Sequence, residues 1–355
     1  MRWEGQKVGG EIGPDAALLP LAGLVRSVRT PDFSGITFHE VRAKSVLNRV
    51  PPTSSMPFSW TINPFRGCSH ACVYCFARKT HSYLNLDTGL DFDAQLVVKI
   101  NAAEVLRREL GRPSWTREHV ALGTNTDPYQ RAEGRYKLMP GIISALADSG
   151  TPFSILTKGT LLARDLPLLR TAAQSVNVGM GISLALIDPS LAEAIEPGTP
   201  APKARLALIS RLRDAGLPCG VMAMPILPWL TDGDESLDEL FGALAEAGAT
   251  GVTAGPLHLR PGAREWFMQW LAVHHPRLVP RYEKLYRGGS YAPKEYRDWL
   301  AGRIRIVRKK HGLGAGAGFF RNLSFSESSS STSGQPVSSP SAGEPAARAE
   351  QGALF

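Results

Sequence analysis

Three of the four cysteines in this chain stand within eight residues, in the run Cys68-Ser69-His70-Ala71-Cys72-Val73-Tyr74-Cys75. Four cysteines in 355 residues are too few for a disulfide scaffold. Their grouping points instead to metal or redox chemistry in a reducing compartment. Three thiolates on a loop running into a helix can hold three irons of a [4Fe–4S] cluster, a group that normally takes four Cys ligands. The fourth iron would then be open to an exogenous ligand, which separates a catalytic centre from a closed electron carrier. Zinc is the competing metal, since Cys68, Cys72, Cys75 and His70 make a Cys3His set. His70 lies between two of the ligands, however, an awkward place for tetrahedral closure, and no second C-x2-C pair follows. Chance clustering is the third reading.

Such a loop needs a scaffold, and the flanking sequence supplies a repeating one. Between residue 58 and about residue 275, β-rich runs alternate with helical patterns. Strands are expected at 59–64, 120–124, 153–157, 176–184, 219–226 and 251–254. Helices are expected at 71–79, 102–110, 140–148, 165–171, 201–215 and 236–247. Ser149-Gly150 and Ala215-Gly216 are suitable helix stops before the next strand. Six βα repeats argue for a parallel sheet, either doubly wound or rolled into a barrel. Such sheets present their chemistry at the C-terminal ends of the strands.

Composition separates four regions: an N-terminal extension (1–58), the βα core (59–275), a basic helical segment (276–323) and a Ser-rich tail (324–355). The extension holds one strand-like stretch, 36–40. From Ser324 to Ser341 ten of eighteen residues are Ser, so the tail is expected to be disordered. It carries Glu327, Glu344, Glu350 and Arg348, net −2, so the overall +8 becomes +10 over residues 1–323. A basic body favours polyanionic partners, although a generic basic protein has the same charge. In the segment 294–311, Arg297, Arg303, Arg305, Arg308, Lys309 and Lys310 oppose an apolar face of Tyr296, Trp299, Leu300, Ile304 and Val307. The reading is a docked helix with a solvated face, to which phosphate binding is the sharper addition. Hydrophobic residues at 43% and charged residues at 20% exclude wholesale disorder. No apolar run reaches 18 residues, the best stretch (16–25) being broken by Pro20, so no membrane span is expected. The N-terminus shows no secretory pattern, and a cytoplasmic location is expected.

The spacing C-x3-C-x2-C with Tyr74 before the last cysteine resembles the radical S-adenosylmethionine (radical SAM) superfamily. Further runs narrow the resemblance: Asn63-Pro64-Phe65-Arg66-Gly67-Cys68, Cys75-Phe76-Ala77-Arg78, Gly89-Leu90-Asp91-Phe92, the stretch from Ala121 to Gln130, and Ile155-Leu156-Thr157-Lys158. Together they are similar to the spore photoproduct lyase-like, or DNA repair photolyase-like, branch in an actinobacterial-type subgroup, over residues 60–260. The resemblance implies an α/β fold, an incomplete (β/α)6-type TIM barrel. It also implies a [4Fe–4S] cluster on Cys68, Cys72 and Cys75 and S-adenosylmethionine on the open iron, cleaved reductively to a 5′-deoxyadenosyl radical that abstracts hydrogen. Lys158 would pair with the cofactor carboxylate, Tyr74 would lie near the adenine, and Thr124, Asn125, Thr126 and Ser183 would supply polar contacts. Each has a plainer role available: a turn for 125–127, a solvated strand end for Lys158, packing for Tyr74. One departure stands out, because spore photoproduct lyase uses a hydrogen-returning cysteine in the turn that here reads Gly123-Thr124-Asn125-Thr126-Asp127-Pro128. Cys219 is the spare thiol and most simply a buried small residue; Cys219 and Tyr129 are the candidate hydrogen donors.

The expected function is therefore a radical SAM enzyme, lyase-like, acting on nucleic acid in lesion repair or modification. The alternatives are the same chemistry on a protein or small molecule, or a non-catalytic metal-binding module associated with DNA. Chemistry on a paired base requires extruding it, and Arg66, Arg78, Lys79, Arg131, Arg135 and Lys137 are candidate phosphate contacts. An electron donor such as flavodoxin or ferredoxin is implied. The terminal Gln351-Gly352-Ala353-Leu354-Phe355 resembles the peptide with which repair and replication proteins dock on the sliding clamp, here on a flexible tether.

Overall fold

The protein is described by a computed structural model covering residues 22–54 and 56–315. The start of the N-terminal extension, the Ser-rich tail and the clamp-docking residues Gln351, Leu354 and Phe355 lie outside the described residues. Strands run in chain order as β1 (Leu24–Val28), β2 (Thr37–Val41), β3 (Leu47–Arg49), β4 (Trp60–Ile62), β5 (Phe65–Arg66), β6 (Gln95–Lys99), β7 (Val120–Leu122), β8 (Phe153–Thr157), β9 (Val178–Ser183), β10 (Cys219–Ile226), β11 (Gly251–Pro256) and β12 (Gly314–Ala315). Helices are α1 (Leu90–Ala94), α2 (Ala102–Leu110), α3 (Arg131–Tyr136), α4 (Leu138–Asp148), α5 (Leu166–Ala172), α6 (Pro189–Ile195), α7 (Pro202–Asp214), α8 (Asp234–Glu246), α9 (Ala263–His274), α10 (Val279–Leu285) and α11 (Lys294–Lys310).

Eight strands form one sheet in the order β12-β11-β10-β9-β8-β7-β4-β3. Neighbours from β4 to β12 are parallel, and β3 closes the near edge antiparallel. From β7 to β12 each new strand adds on the same side of the last, with helices between. The order never reverses, as it must in a doubly wound sheet. The sheet is therefore singly wound, and the fold is the incomplete α/β barrel expected from the sequence. All six expected strands are present, two of them (153–157 and 219–226) with the expected bounds, as is the helix 102–110.

Strand and helix positions that face each other fill one core. Ile62, Leu122, Ile155, Ile182, Val221 and Val252 from the strands meet Leu106, Ile142, Leu146, Leu169, Ile209 and Phe241 from the helices, all fully buried or nearly so. Each such side chain contributes about 1.5–3 kcal/mol relative to exposure. Local signals set the helix ends. Asp188 caps α6 by accepting from the Leu191 N–H at 2.6 Å, and Asp234 and Glu235 place negative charge in the first turn of α8.

Three differences from the sequence reading matter. The extension builds a second sheet, β1-β2-β6-β5, whose last strand delivers the chain directly into Gly67 and Cys68. No helix begins at residue 71: Ala71 has φ +56°, and a 3₁₀ helix starts only at Phe76 and runs to Leu84. A left-handed residue cannot sit inside a right-handed helix, so the chain turns where the pattern suggested continuity. In α11, Leu300, Ile304 and Val307 are buried, but Trp299 is exposed beneath Arg303, and Tyr296 gives its hydroxyl to Asp232 at 2.8 Å. Part of its basic face is spent on α8: Arg303 pairs with Asp234, and Lys310 and His311 with Asp238.

Gly123 makes the sharpest turn out of β7. Its φ is +88°, and a Cβ there would lie 1.9 Å from the Leu156 carbonyl oxygen. Gly123→Ala is expected to destabilise the fold by about 1–3 kcal/mol or more, read as a lower thermal midpoint; an unchanged midpoint would refute the tight β7–β8 approach.

Candidate metal and cofactor centre

The cysteine loop has almost no regular structure, so its backbone groups must find partners one by one. Cys68 N–H donates to Phe92 O at 2.9 Å, and successive turns close from Ala71 to Cys68, Cys75 to Cys72 and Arg78 to Cys75. Buried side chains hold the rest. Gln130, with no exposure, accepts from Ser69 N–H at 2.9 Å and donates to Gly67 O at 3.1 Å. Arg78, also fully buried, donates to Cys72 O through Nε at 3.1 Å and Nη2 at 3.0 Å, and to Gly89 O through Nη1 at 2.7 Å. Its charge is met by Asp93 at 2.9 Å and by the faces of Phe92 and Trp266. Arg78 is thus a buried support of the loop and not the phosphate contact expected from sequence.

Cys68 and Cys72 are buried, Cys75 is half-buried, and all three are free thiols. Burial raises the thiol pKa of each, so the proton must leave when a metal binds. Among the described residues, no group of three or more His, Cys, Asp or Glu side chains is arranged to hold a single metal ion. His70 is turned to Asp127 Oδ2, 3.3 Å away, and completes no Cys3His set. Thiolates set apart on one loop suit a group in which each ligates its own iron.

Asp127 links this loop to the strand ends. Its carboxylate faces His70, accepts from Thr157 Oγ1 at 2.5 Å and Tyr129 N–H at 2.8 Å, and takes the Lys158 N–H at 2.6 Å. Burial would raise its pKa, but His70 and these donors outweigh burial and hold it below the usual carboxylate value.

A second constellation lies at the C-terminal ends of β8 and β9. Lys158 Nζ is 2.8 Å from Ser183 Oγ, 2.9 Å from Glu196 Oε1 and 3.1 Å from Tyr74 Oη, with the Tyr74 ring beneath it. The Tyr74 hydroxyl donates to Glu196. Arg205 pairs with the other Glu196 oxygen at 2.7 Å. Burial opposes ionisation of Glu196, yet Lys158 and Arg205 prevail and hold its pKa far below the ordinary range. Two cations and one carboxylate leave the set at net +1, a charge suited to a monoanion.

Three of the expected residues, Tyr74, Lys158 and Ser183, therefore come together. The others divide. The Thr124 hydroxyl is buried with no partner, a polar atom awaiting a ligand. Thr126 gives its hydroxyl to Phe65 O at 3.1 Å, and Asn125 is exposed, its N–H donating to Asn63 at 3.2 Å; both brace the loop before Cys68. Tyr129 is buried with its hydroxyl committed to Asp165 at 3.0 Å. Cys219 opens β10 at the opposite end of the sheet, opposite Met180, three positions before Ser183, or ~10 Å along the strand. Its thiol is packed in the core and donates to Gly220 O, with a pKa raised by burial to about 12. The Cys219 thiol thus lies in the core at the far end of its strand, and the Tyr129 hydroxyl is held by a carboxylate.

Sequence reading missed Glu196 and Arg205. Arg205 carried a signal: with Leu208, Ile209 and Leu212 it occupies the i, i+3, i+4, i+7 apolar stripe of α7, where a charge needs a buried partner. Glu196, in a Glu-Pro-Gly turn, carried none.

The donors present fit the implied groups: three free soft thiols for iron, an orphaned Thr124 hydroxyl and a net-positive lysine pocket for a ligand bearing a carboxylate. A groove of about 420 Å³ touches His70, Gly159, Thr160, Gly198 and Thr199 beside this centre, whereas a larger one of about 590 Å³ lies between α2 and α4, lined by Arg107, Arg112 and Trp115 and remote from it.

Residues 62–241 match the model of the Radical SAM superfamily. An uncharacterized protein of Mycobacterium tuberculosis is 61% identical over 317 residues, covering 88% of this chain and 93% of its own length. An uncharacterized protein of Methanocaldococcus jannaschii is 27% identical over 206 residues, 58% of this chain and 74% of that protein. Among solved structures, a spore photoproduct lyase variant with bound AdoMet and dinucleoside spore photoproduct superposes with a TM-score of 0.58 at 17% identity, covering 78% of this chain and 79% of that one. A complex of the same lyase with the dinucleoside photoproduct also gives 0.58, at 16% identity and over 78% and 80% of the two chains. At these identities the likeness is one of fold.

Removing Arg78 takes the buried ion-pair partner from Asp93 and two donors from the Cys72 carbonyl. Arg78→Met is expected to cost about 3–5 kcal/mol in urea unfolding, and adding Asp93→Leu should recover part of that loss. A single variant as stable as the parent would sink this account of the loop.

Proposed function

The chain belongs to the radical SAM superfamily, and from that premise we propose that it is an enzyme that uses a [4Fe–4S] cluster on Cys68, Cys72 and Cys75 with S-adenosylmethionine. One observation carries the reading: three free thiols stand on the loop whose Tyr74 hydroxyl meets a half-buried ammonium, Lys158, in a set of net charge +1. When bound, the cluster and S-adenosylmethionine supply one-electron cleavage of the cofactor and abstraction of a hydrogen atom from substrate. The protein's own part is to bind and orient. Lys158 and Ser183 hold the cofactor carboxylate, Thr124 offers its unused hydroxyl, and the walls of the singly wound sheet keep water from the reacting atoms. Electrons come from a small reductant such as flavodoxin or ferredoxin.

The substrate is nucleic acid. The fold likeness to a lyase solved with a dinucleoside photoproduct supports this, as does the surface around the strand ends. Phe76, next to Cys75, is exposed beneath Arg260; Trp229, after β10, is exposed beneath Arg281; and His258 packs on exposed Tyr291. Aromatic faces with adjacent guanidinium groups stack bases and hold phosphates. Repair of the spore thymine dimer itself is not favoured, because the turn 123–128 lacks a cysteine and Cys219 lies elsewhere. A clamp contact through Gln351, Leu354 and Phe355 stands on the terminal sequence alone. No helix among the described residues is long and apolar enough to cross a membrane.

Anaerobic reconstitution should give a visible iron–sulfur absorbance and, with dithionite, conversion of S-adenosylmethionine to 5′-deoxyadenosine. Cys72→Ala should abolish both, and cleavage that survives that change would falsify the assignment. Binding to a single-stranded oligonucleotide should weaken with salt, with a log–log slope of about −0.7 for each phosphate contacted; affinity indifferent to salt would redirect the search to proteins and small molecules.

A further inference from the structure

The segment after α6 lies across the cysteine loop as a strap. Val73 N–H donates to Ile195 O at 2.9 Å, and Gly198 N–H donates to His70 O at 3.0 Å. A Cβ on Gly198 would stand 1.9 Å from Ser69 O, so the two backbones touch. Between these two bonds sits Glu196, with no side-chain exposure and both oxygens engaged. Oε1 takes Lys158 and the Tyr74 hydroxyl; Oε2 takes Arg205 and, at 3.5 Å, Thr199. Arg205 is itself fully buried, and its Nη1 also donates to Ser183 O at 3.2 Å.

One carboxylate thus touches the β8 end through Lys158, the cysteine loop through Tyr74, and α7 through Arg205. A lysine side chain has four rotatable bonds and no directional fork of its own. Its aim here comes from Ser183, Tyr74 and Glu196. A carboxylate facing Lys158 alone would cancel its charge towards any anionic ligand. With Arg205 on its second oxygen, Glu196 is neutralised from behind; Lys158 keeps an unbalanced positive charge, and an arriving carboxylate replaces Ser183 or Tyr74 as the acceptor of one of its three protons.

We infer that Glu196, braced by Arg205, is a positioning residue that aims the Lys158 ammonium at the cofactor carboxylate and ties it to the cysteine loop. This rests on the reading of Lys158 as the carboxylate's partner. Glu196 touches the loop only through the Tyr74 side chain and bonds to no cysteine, while backbone bonds from Val73 and Gly198 hold the strap to the loop, so its removal acts on cofactor affinity with iron incorporation retained.

The test uses the full chain, reconstituted anaerobically, as wild type, Glu196→Gln and Lys158→Met. Iron per chain is measured first. S-adenosylmethionine affinity then follows by equilibrium dialysis, and the electron paramagnetic resonance spectrum of the reduced cluster is recorded with and without cofactor. 5′-Methylthioadenosine, which lacks the carboxylate, is the control ligand. Glu196→Gln should retain its iron, lose affinity for S-adenosylmethionine on the order of tenfold, show a weakened spectral response to it, and bind methylthioadenosine as wild type does. If Lys158→Met loses affinity and Glu196→Gln does not, the inference fails alone. If Lys158→Met also binds normally, the carboxylate reading fails and the inference with it. Loss of iron in Glu196→Gln overturns the inference by placing the residue in the support of the loop. Should that variant not fold, Arg205→Gln decides: it removes the charge that neutralises Glu196 while the contacts of Lys158 stay, and an unchanged affinity overturns the proposal.

Discussion

A guanidinium buried beneath an irregular loop is the interaction on which the centre depends. The stretch from Gly67 to Cys75 forms neither helix nor strand and turns through a left-handed Ala71, so it cannot satisfy its own backbone by regular pairing. Arg78 resolves the conflict from below, giving three hydrogen bonds to the carbonyls of Cys72 and Gly89 and an ion pair to Asp93. Placing that charge out of water is costly. The cost is offset by a carboxylate of opposite sign and by two aromatic faces, one of which, Trp266, comes from α9 near the far end of the chain. The loop is therefore a product of tertiary packing, and its stability is that of the whole domain.

Two buried carboxylates then join the loop to the barrel. Asp127 binds it to the β7 and β8 ends through His70, Thr157 and the Lys158 backbone, while Glu196 binds it to β8 and α7 through Tyr74, Lys158 and Arg205. Both remain ionised despite burial because hydrogen-bond donors and cations converge on them. The backbone and the side chain of Lys158 are held by different carboxylates, so the residue has little freedom left.

Periodic segments and the cysteine spacing were legible in the sequence. β8, β10 and α2 fall where alternation and the 3.6-residue pattern put them, because those elements bury one face or both against a common core. The loop was legible as chemistry and illegible as shape: nothing in Ser69-His70-Ala71 announces a left-handed Ala71. Residues that hold the centre from outside escaped for a related reason. Gln130, Arg78, Glu196 and Arg205 act across separations of 6 to over 60 residues, and a linear pattern reports neighbours in sequence. Arg205 alone betrayed itself, as a charge on an apolar stripe. Thr126, Tyr129 and Cys219 were over-read because their types suit the chemistry, although their side chains are committed to a carbonyl, a carboxylate and the core.

The large sheet ends on one side in β3, a strand of three residues, and on the other in β12, described for Gly314–Ala315. An unclosed sheet ordinarily exposes two rows of unpaired amides that can recruit a strand from another molecule. Here the β3 row is too brief to template one, and α11 packs against β12 and its neighbour β11. The fold can thus leave its barrel open on the β3 side while offering only a three-residue edge there, so that access to the interior does not require a long unpaired strand.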